Sequence, residues 1–292
     1  MLSQDILKRV HQIEITTRKV VDDLMSGSFR SHFKGHGVQF SEHRQYVAGD
    51  DVRHIDWKVS ARSRDPLIKK YEEERELTVF LIVDVSGSED FGSTKKLKSE
   101  IAAEISGMLA YAAVHTGDRV GALLFGGEVE LIIPPKKGKQ HVLRIIRDVL
   151  SHKSRSKGTN LKGALEAAGR IMKHSGVVFV ISDFMATDYD VAFKRLARRH
   201  DVVAIRVGDQ RELLFPEVGQ IYLLDPETGI ENLVDTGSYV FKKWFKEYQA
   251  THAAQRDKIF KESRAELLKV QTQDDYADAV VKFFKTRAKR RR

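Results

Sequence analysis

The sequence of 292 residues contains no cysteine. Disulfide bonds, thiolate nucleophiles and cysteine-ligated zinc sites are therefore excluded, and a reducing cytoplasm fits this composition. The sequence also lacks any apolar run near the roughly 20 residues that a membrane-spanning helix needs. Its first 20 residues carry charges where a signal peptide requires an apolar stretch. We therefore predict a cytoplasmic protein with no membrane span.

Acidic residues are outnumbered by basic ones, which gives a net charge of +9, but the excess is local. Residues 282–292 hold seven basic residues and no acid, and residues 136–157 hold eight basic residues against Asp148 alone. The rest of the chain is mildly acidic. Local basic segments are most often solvated or partner-docking surfaces, so an acidic protein partner is favoured. A nucleic-acid-binding adaptor stays open as the alternative.

Short apolar runs alternate with helical patterns from residue 77 onward. The strand-like runs lie at 77–85, 118–125, 176–183 and 201–207, and the helical patterns at 94–116, 138–152, 160–174 and 188–200. This alternation predicts an α/β fold with a doubly wound, mostly parallel sheet. The run at 128–133 follows Gly126 and Gly127 directly, which predicts an antiparallel hairpin partner at the sheet edge.

The C-terminal third continues with runs at 220–225 and 229–234 and two final helices at 238–267 and 274–290. Three aromatic residues of the first of these helices, Trp244, Phe245 and Tyr248, have helical spacing. We interpret them as core or domain-packing residues rather than as a platform for stacking bases.

The residues before the first strand differ in composition. Residues 4–25 have the apolar spacing of an amphipathic helix, residues 26–42 read as a loop, and residues 43–76 are crowded with opposite charges. We therefore divide the chain into residues 1–76, an N-terminal helical and ion-paired extension, and residues 77–292, the α/β domain with a basic C-terminal tail.

The charged segment leaves a metal-dependent nuclease open as an enzymatic alternative, because carboxylates can hold Mg²⁺ and a lysine can steady a leaving charge. The candidate residues are Asp50, Asp51, Asp56 and Lys58. A structural ion-pair network is favoured over this reading, since bidentate arginine partners are at hand in Arg44, Arg53, Arg62 and Arg75. A zinc site is not favoured either, because the glutamate of a zincin motif is missing around His32, His36, His43 and His54.

Oxygen-bearing side chains cluster where the predicted sheet would bind a ligand. Asp84, Ser86 and Ser88 follow the first strand, Asp183 ends the strand at 176–183, and Thr159 precedes the helix at 160–174. Open α/β sheets bind ligands beyond the carboxyl ends of their strands. Oxygen-only ligation suits a hard cation, so we predict a Mg²⁺ site, with Mn²⁺ or Ca²⁺ as the other candidates.

These five residues resemble the metal-ion-dependent adhesion site of the von Willebrand factor A domain, which reads Asp-x-Ser-x-Ser, then Thr, then Asp. The resemblance implies that Ser86, Ser88 and Thr159 contact the cation while Asp84 and Asp183 hold it largely through water. An acidic side chain of a partner then fills the open position. Glu89 departs from the pattern, because relatives often carry an apolar residue there.

Residues 44–76 resemble the signature of the domain of unknown function family fifty-eight. This resemblance implies a von Willebrand factor A-like domain that works with MoxR-type AAA+ ATPases in assembling or activating client proteins. No G-x-x-x-x-G-K-[ST] phosphate loop occurs in the sequence, so ATPase activity is expected from the partner. We therefore predict a non-enzymatic, chaperone-like adaptor. By analogy, the helix at 274–290 is a candidate relay of metal binding.

Overall fold

A computed structural model describes residues 4–25, 35–63, 65–75, 77–93, 96–213, 216–224 and 231–290. The chain divides into two compact units, residues 31–77 and residues 1–30 together with 78–292. Helix α1 (Gln4–Met25) thus belongs to the larger unit. The sequence had grouped this helix with the charged segment, whereas its apolar face packs against two helices of the larger unit.

Residues 31–77 are built around an antiparallel ribbon of strands β1 (Gly35–Gln45) and β2 (Leu67–Arg75). A short 3-10 helix, Val52–His54, and the single turn of α2 (Trp57–Ser60) connect the strands. The predicted loop at 26–42 is therefore wrong for residues 35–42, and residues 26–34 lie outside the described part. Strand β1 alternates mostly polar residues without an apolar run, so hydrophobic patterning gave no signal for it.

Acidic side chains of this small unit are engaged in local structure. The Arg44 guanidinium donates to both carboxylate oxygens of Asp50 at 2.7 Å. Arg53 pairs with Asp51 at 2.7 Å, and Asp56 caps α2. The ion-pair network is therefore present for Arg44 and Arg53, and no group of three potential metal ligands occurs among the described residues of this unit.

The larger unit contains a sheet of six strands and a separate two-stranded hairpin. In chain order its strands are β3 (Thr78–Asp84), β4 (Arg119–Phe125), β5 (Val129–Lys136), β6 (Val177–Ser182), β7 (Asp201–Gly208), β8 (Gln220–Leu224), β9 (Glu231–Asp235) and β10 (Glu266–Gln271). The sheet order is β10-β7-β6-β3-β4-β5, and only β5 runs antiparallel. The predicted doubly wound fold and its antiparallel edge hairpin are confirmed.

Helices cover both faces of this sheet. Besides α1 they are α3 (Lys98–His115), α4 (Lys139–Ser151), α5 (Leu161–Ile171), α6 (Asp190–Arg199), α7 (Gln210–Leu213), α8 (Tyr239–Ser263) and α9 (Tyr276–Arg290). One face packs residues such as Phe80 and Ile82 against α5, α6 and α8. Helix α1 packs on α3 and α4 through Val10 and Ile13. Burial on both faces explains why these strands are continuous apolar runs.

Strand β10 corrects the predicted helix at 238–267. Helix α8 ends at Ser263, Arg264 adopts a left-handed backbone conformation (φ 57°), and the chain returns as an edge strand beside β7. A non-glycine residue in this conformation leaves no sequence signal. The core placement of Trp244 and Tyr248 is also wrong, since they are 55% and 38% exposed.

Up to Arg290, the C-terminal basic segment is part of helix α9 and does not form an extended tail. Its Arg287 is buried and pairs with Asp201 of β7 and Glu266 of β10. The segment therefore includes a structural anchor. Among the described residues, no helix is apolar over enough of its length to cross a lipid bilayer.

Candidate metal centre

Asp84 closes strand β3 and organises the turn that follows it. Its Oδ1 accepts hydrogen bonds from the backbone N–H (3.0 Å) and the hydroxyl (2.7 Å) of Ser86. The Ser86 and Ser88 hydroxyl oxygens are 3.2 Å apart. Asp84 and Ser86 are almost fully buried. The turn therefore gathers one carboxylate and two hydroxyls at the carboxyl end of the central strand.

Asp183 joins this turn because β6 is the parallel neighbour of β3, with Ile181 opposite Val83. The preceding residue, Ser182, donates its hydroxyl to Asp84 Oδ2 at 2.7 Å. Asp183 itself is 5% exposed and accepts from the Met185 N–H at 3.0 Å. Phe184, which lies between Asp183 and Met185 in the chain, has a positive φ of 56°, a conformation that is rare for a non-glycine residue. The strand register thus aligns both predicted aspartates.

Thr159 sits in a loop held tightly against the β4–β5 hairpin. The Asn160 N–H donates to the Gly126 carbonyl at 2.7 Å, and a Cβ on Gly127 would lie 2.1 Å from the Lys157 carbonyl oxygen. Glycine is therefore required at position 127.

Glu130 of β5 also holds this loop in place, through its carboxylate. Burial raises its pKa, but hydrogen bonds from loop residues outweigh this and lower the pKa to about 2. The donors are Ser154, Ser156 and His152.

Glu89 adds a third carboxylate that the metal-site prediction did not include. It lies in the 3-10 helix Gly87–Asp90 and is 1% exposed. One oxygen from each of Asp84, Glu89 and Asp183 lies within 4.8 Å of the others. Glu89 Oε1 has no hydrogen-bond partner among the described residues. In the sequence, Glu89 stood out because relatives of the motif often carry an apolar residue at this position. The sequence did not reveal that Glu89 is buried.

Lys98, the first residue of α3, provides a buried positive charge beside these carboxylates. Its Nζ lies 3.1 Å from Asp183, 3.9 Å from Glu89 and 2.7 Å from Glu212 of α7. Burial lowers the pKa of Lys98, but these carboxylates reverse the effect and hold the pKa above its ordinary value. Lys98 is therefore an ammonium, and no sequence pattern distinguished it from a surface lysine.

The electrostatics of the cluster leave room for a further cation. Burial and the charge of Asp183 raise the pKa of Asp84 to about 7, and burial raises the pKa of Glu89 well above its ordinary value. Shifts in this direction mean that burial makes the ionised form of these carboxylates unfavourable, and an added positive charge would offset this effect. With Asp84, Glu89, Asp183 and Glu212 all ionised, four negative charges face the one positive charge of Lys98, and a divalent cation would reduce this excess.

The cluster borders a cavity of about 640 Å³. Ser88, Thr159 and Asp183 lie along one side of it, which brings Thr159 to the same place as the other predicted ligands. Arg206, Phe245 and Tyr248 line another part. All five predicted site residues thus lie at the carboxyl edge of the sheet. Ser88, Thr159 and Asp183 line the cavity, whereas Asp84 and Ser86 are buried behind them.

Comparison with known proteins places this chain in a family. Residues 42–256 match the family described as "Protein of unknown function DUF58". An uncharacterised protein of Mycobacterium bovis is 30% identical over 280 residues, which cover 94% of this chain and 87% of the relative. The chain therefore belongs to the DUF58 family, as the residues at 44–76 had indicated.

Solved structures of low sequence identity resemble parts of the chain. The conserved hypothetical protein BatB from Bacteroides thetaiotaomicron is 16% identical and matches 73% of this chain and 99% of its own, with a TM-score of 0.47. The VWA domain of SpRpn10 is 9% identical and matches 70% of this chain and 94% of its own, with a TM-score of 0.39.

Proposed function

We propose that this protein is a divalent-cation-dependent protein-binding adaptor. The observation that carries the proposal is the convergence of buried carboxylates and hydroxyls at one edge of the sheet, beside a cavity. Asp84, Ser86, Ser88, Thr159 and Asp183, joined by Glu89, would hold Mg²⁺. The ion would supply a coordination position that an acidic side chain of a partner completes.

The chain's own residues are arranged to hold such a site in shape. Ser182 and Ser86 orient the Asp84 carboxylate from opposite sides. Lys98 links Asp183 and Glu212, so that part of the negative charge is balanced within the protein. Glu89 Oε1 is buried without a hydrogen-bond partner among the described residues and has only the distant Lys98 ammonium at 3.9 Å, so a cation would satisfy it.

Binding rather than catalysis is supported by the side chains present. The described residues that line the cavity include no histidine. The Ser86 hydroxyl is directed at the Asp84 carboxylate and does not stand beside a neutral base. An activated nucleophile requires such a base or a lowered pKa. We therefore propose a binding protein, and we keep the cytoplasmic location that the sequence predicts as part of the proposal.

The proposal extends to the class of partner. Membership of the DUF58 family supports a MoxR-type AAA+ ATPase, with its client, as the protein partner, because that partnership is what the family resemblance implies. The absence of a phosphate loop from the sequence fits a protein that relies on a partner for ATP hydrolysis.

A binding assay with a purified MoxR-type ATPase from the same genome tests this proposal. We expect complex formation in magnesium buffer, and its loss in excess EDTA and in Asp84→Ala. The matched control is Asp90→Asn, an exposed acid on the same 3-10 helix, which should bind normally. Binding that is unchanged by both EDTA and Asp84→Ala would rule the mechanism out.

A further inference from the structure

The cavity beside the metal centre contains positive charges that the protein does not balance. Its acids are already engaged, since Lys98 pairs with both Asp183 and Glu212. By contrast, the side chains of Arg206 and Arg211 form no ion pair or hydrogen bond with any described residue. Arg206 and Arg211 are therefore the charged side chains of this cavity that no described residue pairs with.

Arg206 is an unusual residue for its position. It lies on β7, on the same face as Val202 and Ala204, and is only 8% exposed. Its Nε is buried without a hydrogen-bond partner among the described residues. A buried guanidinium normally has an anion beside it, because an unpaired buried charge is strongly unfavourable.

A second buried arginine lies close to the first. Arg256 of α8 is 4% exposed, and its Nε also lacks a hydrogen-bond partner among the described residues. The nearest acid is the half-exposed Asp257, 3.7 Å away. Burial lowers the pKa of Arg256, and the charge of Arg206 lowers it further. Two buried guanidinium groups near each other repel, and an anion bound beside them would stabilise both.

The remaining wall of the cavity is apolar and aromatic. Phe91, Met185, Phe245 and Tyr248 line it. The Tyr248 ring stacks on Trp244 at a centroid distance of 5.4 Å, and Trp244 is 55% exposed. The aromatic surface thus continues from the cavity onto α8. Exposed aromatic residues beside an arginine are typical of the energetically important parts of protein interfaces.

We propose that this cavity binds an acidic peptide segment of a partner protein through a carboxylate-binding site at Arg206. A second carboxylate of the same segment would lie at the metal centre, and an apolar side chain between them would contact Phe245 and Tyr248. Only the placement of that second carboxylate rests on the proposed function. The carboxylate site at Arg206 stands on this buried arginine itself, whose Nε has no hydrogen-bond partner among the described residues.

A randomised peptide display library selected on the full chain in magnesium buffer tests the proposal. We expect enrichment of peptides with two acidic residues flanking an aromatic or aliphatic one. Replacing the acid that pairs with Arg206 by its amide should weaken binding at least about tenfold in a fluorescence-polarisation titration. The same replacement should have no effect on the Arg206→Gln variant, because the pairing is already lost. The proposal would be overturned if no acid of the selected peptides could be replaced by its amide with a loss of binding that depends on Arg206.

Two protein variants control for structural damage. Arg195→Gln removes an exposed arginine of α6 away from the cavity and should bind the selected peptide as the unaltered chain does. If Arg206→Gln does not fold, Arg206→Lys keeps a charge without the bidentate fork and should bind more weakly than the unaltered chain. Equal affinity of Arg206→Lys and the unaltered chain, or preferential binding of an oligonucleotide that competes with the peptide, would contradict a carboxylate site.

The two proposals fail in different ways. If peptide binding depends on Arg206 but survives EDTA and Asp84→Ala, the carboxylate site stands and the metal-dependent function fails. If binding is lost in EDTA but is indifferent to Arg206→Gln, the metal-dependent function stands and the carboxylate site is wrong.

Discussion

A lysine with no exposed surface lies among the carboxylates of the candidate metal centre. Lys98 contacts Asp183 and Glu212 closely enough to act as a permanent counter-ion. It cannot balance the whole cluster, because Asp84 and Glu89 remain. This single residue therefore balances part of the negative charge of the candidate centre and leaves the rest for a cation.

Replacing Lys98 by methionine should destabilise the protein by about 3–5 kcal/mol, because buried carboxylates lose their cation. Added Mg²⁺ should recover more stability in this variant than in the unaltered chain. Urea denaturation with and without Mg²⁺ measures both effects. The control is Lys173→Met at an exposed position, with a change within about 0.5 kcal/mol. A Lys98→Met variant as stable as the control would show that the carboxylates do not need this cation.

Asp84 makes folding depend on pH. Its pKa of about 7 in the folded protein lies above the ordinary 3.8. The folded state therefore binds the proton more tightly, and the contribution of Asp84 to stability falls as the pH rises from about 4 to about 7. Burial lowers the pKa of His141 and His200, which contribute in the opposite direction. The effect of Asp84 must therefore be measured as a difference.

In EDTA, the stability of the unaltered chain relative to Asp84→Asn should fall between pH 4 and pH 7. The reason is that asparagine does not ionise, whereas both histidines are common to the two proteins. Added Mg²⁺ should reduce this fall, since it favours the ionised carboxylate. Chemical denaturation across this range provides the measurement, and a difference that is constant or rises with pH would contradict the account.

At the scale of the element, the carboxylate of Asp209 connects three segments of the fold through hydrogen bonds. Its carboxylate accepts from the Ser93 N–H (2.8 Å) and hydroxyl (2.6 Å) in the loop before α3, and from Thr272 after β10. The Arg211 N–H adds a fourth bond at 2.8 Å. Burial raises the pKa of Asp209, but these bonds lower it to about 2.

Asp209→Ala should cost about 2–4 kcal/mol of unfolding free energy, because the buried Thr272 hydroxyl and the half-buried Ser93 donors lose their acceptor. Denaturation in urea, with Asp90→Ala as the exposed control, tests this. The loss should be fully expressed at neutral pH and should shrink as the pH falls from about 4 toward 2, where Asp209 itself becomes protonated. A loss that does not change over this range would mean that ionisation of Asp209 is irrelevant.

The Thr159 loop depends on close contact with the β4–β5 hairpin. Gly127→Ala would push against the Lys157 carbonyl and displace the loop. We expect Mg²⁺ affinity to fall about tenfold in calorimetry with the fold retained. Gly169→Ala on α5, whose added Cβ meets nothing closer than 3.8 Å, is the control and should bind normally. Unchanged affinity in Gly127→Ala would exclude Thr159 from the site.

The elements that the sequence predicted are those with a strong local signal. Strands buried on both faces, such as β3 and β6, are continuous apolar runs, and the glycine pair before β5 marked its hairpin. Strand β10 was missed because a left-handed arginine ended α8. Asp84, Ser86, Ser88 and Asp183 stand at the ends of predicted strands and Thr159 precedes a predicted helix, so their position at the edge of the sheet was predictable. That they bind a metal stays a prediction. The burial of Glu89, Lys98 and Arg206 was not predictable, because it depends on packing between distant segments.

At the scale of the whole molecule, the distribution of charge points to where a partner would bind. The basic C-terminal segment is partly structural, since Arg287 is buried in ion pairs. Buried charges that the described residues do not fully balance lie at the carboxyl edge of the sheet, negative at the candidate metal centre and positive at Arg206. A cation and an acidic partner would neutralise both.

The central claim, that this edge of the sheet holds a divalent cation, is tested most directly by titrating Mg²⁺ into the EDTA-treated and dialysed full chain in a calorimeter. The account predicts one ion per chain, at least about tenfold weaker binding (1.4 kcal/mol) in Glu89→Gln, none in Asp84→Ala, and unchanged binding in Asp90→Asn. No binding by the unaltered chain, or equal binding by Asp84→Ala, would contradict it.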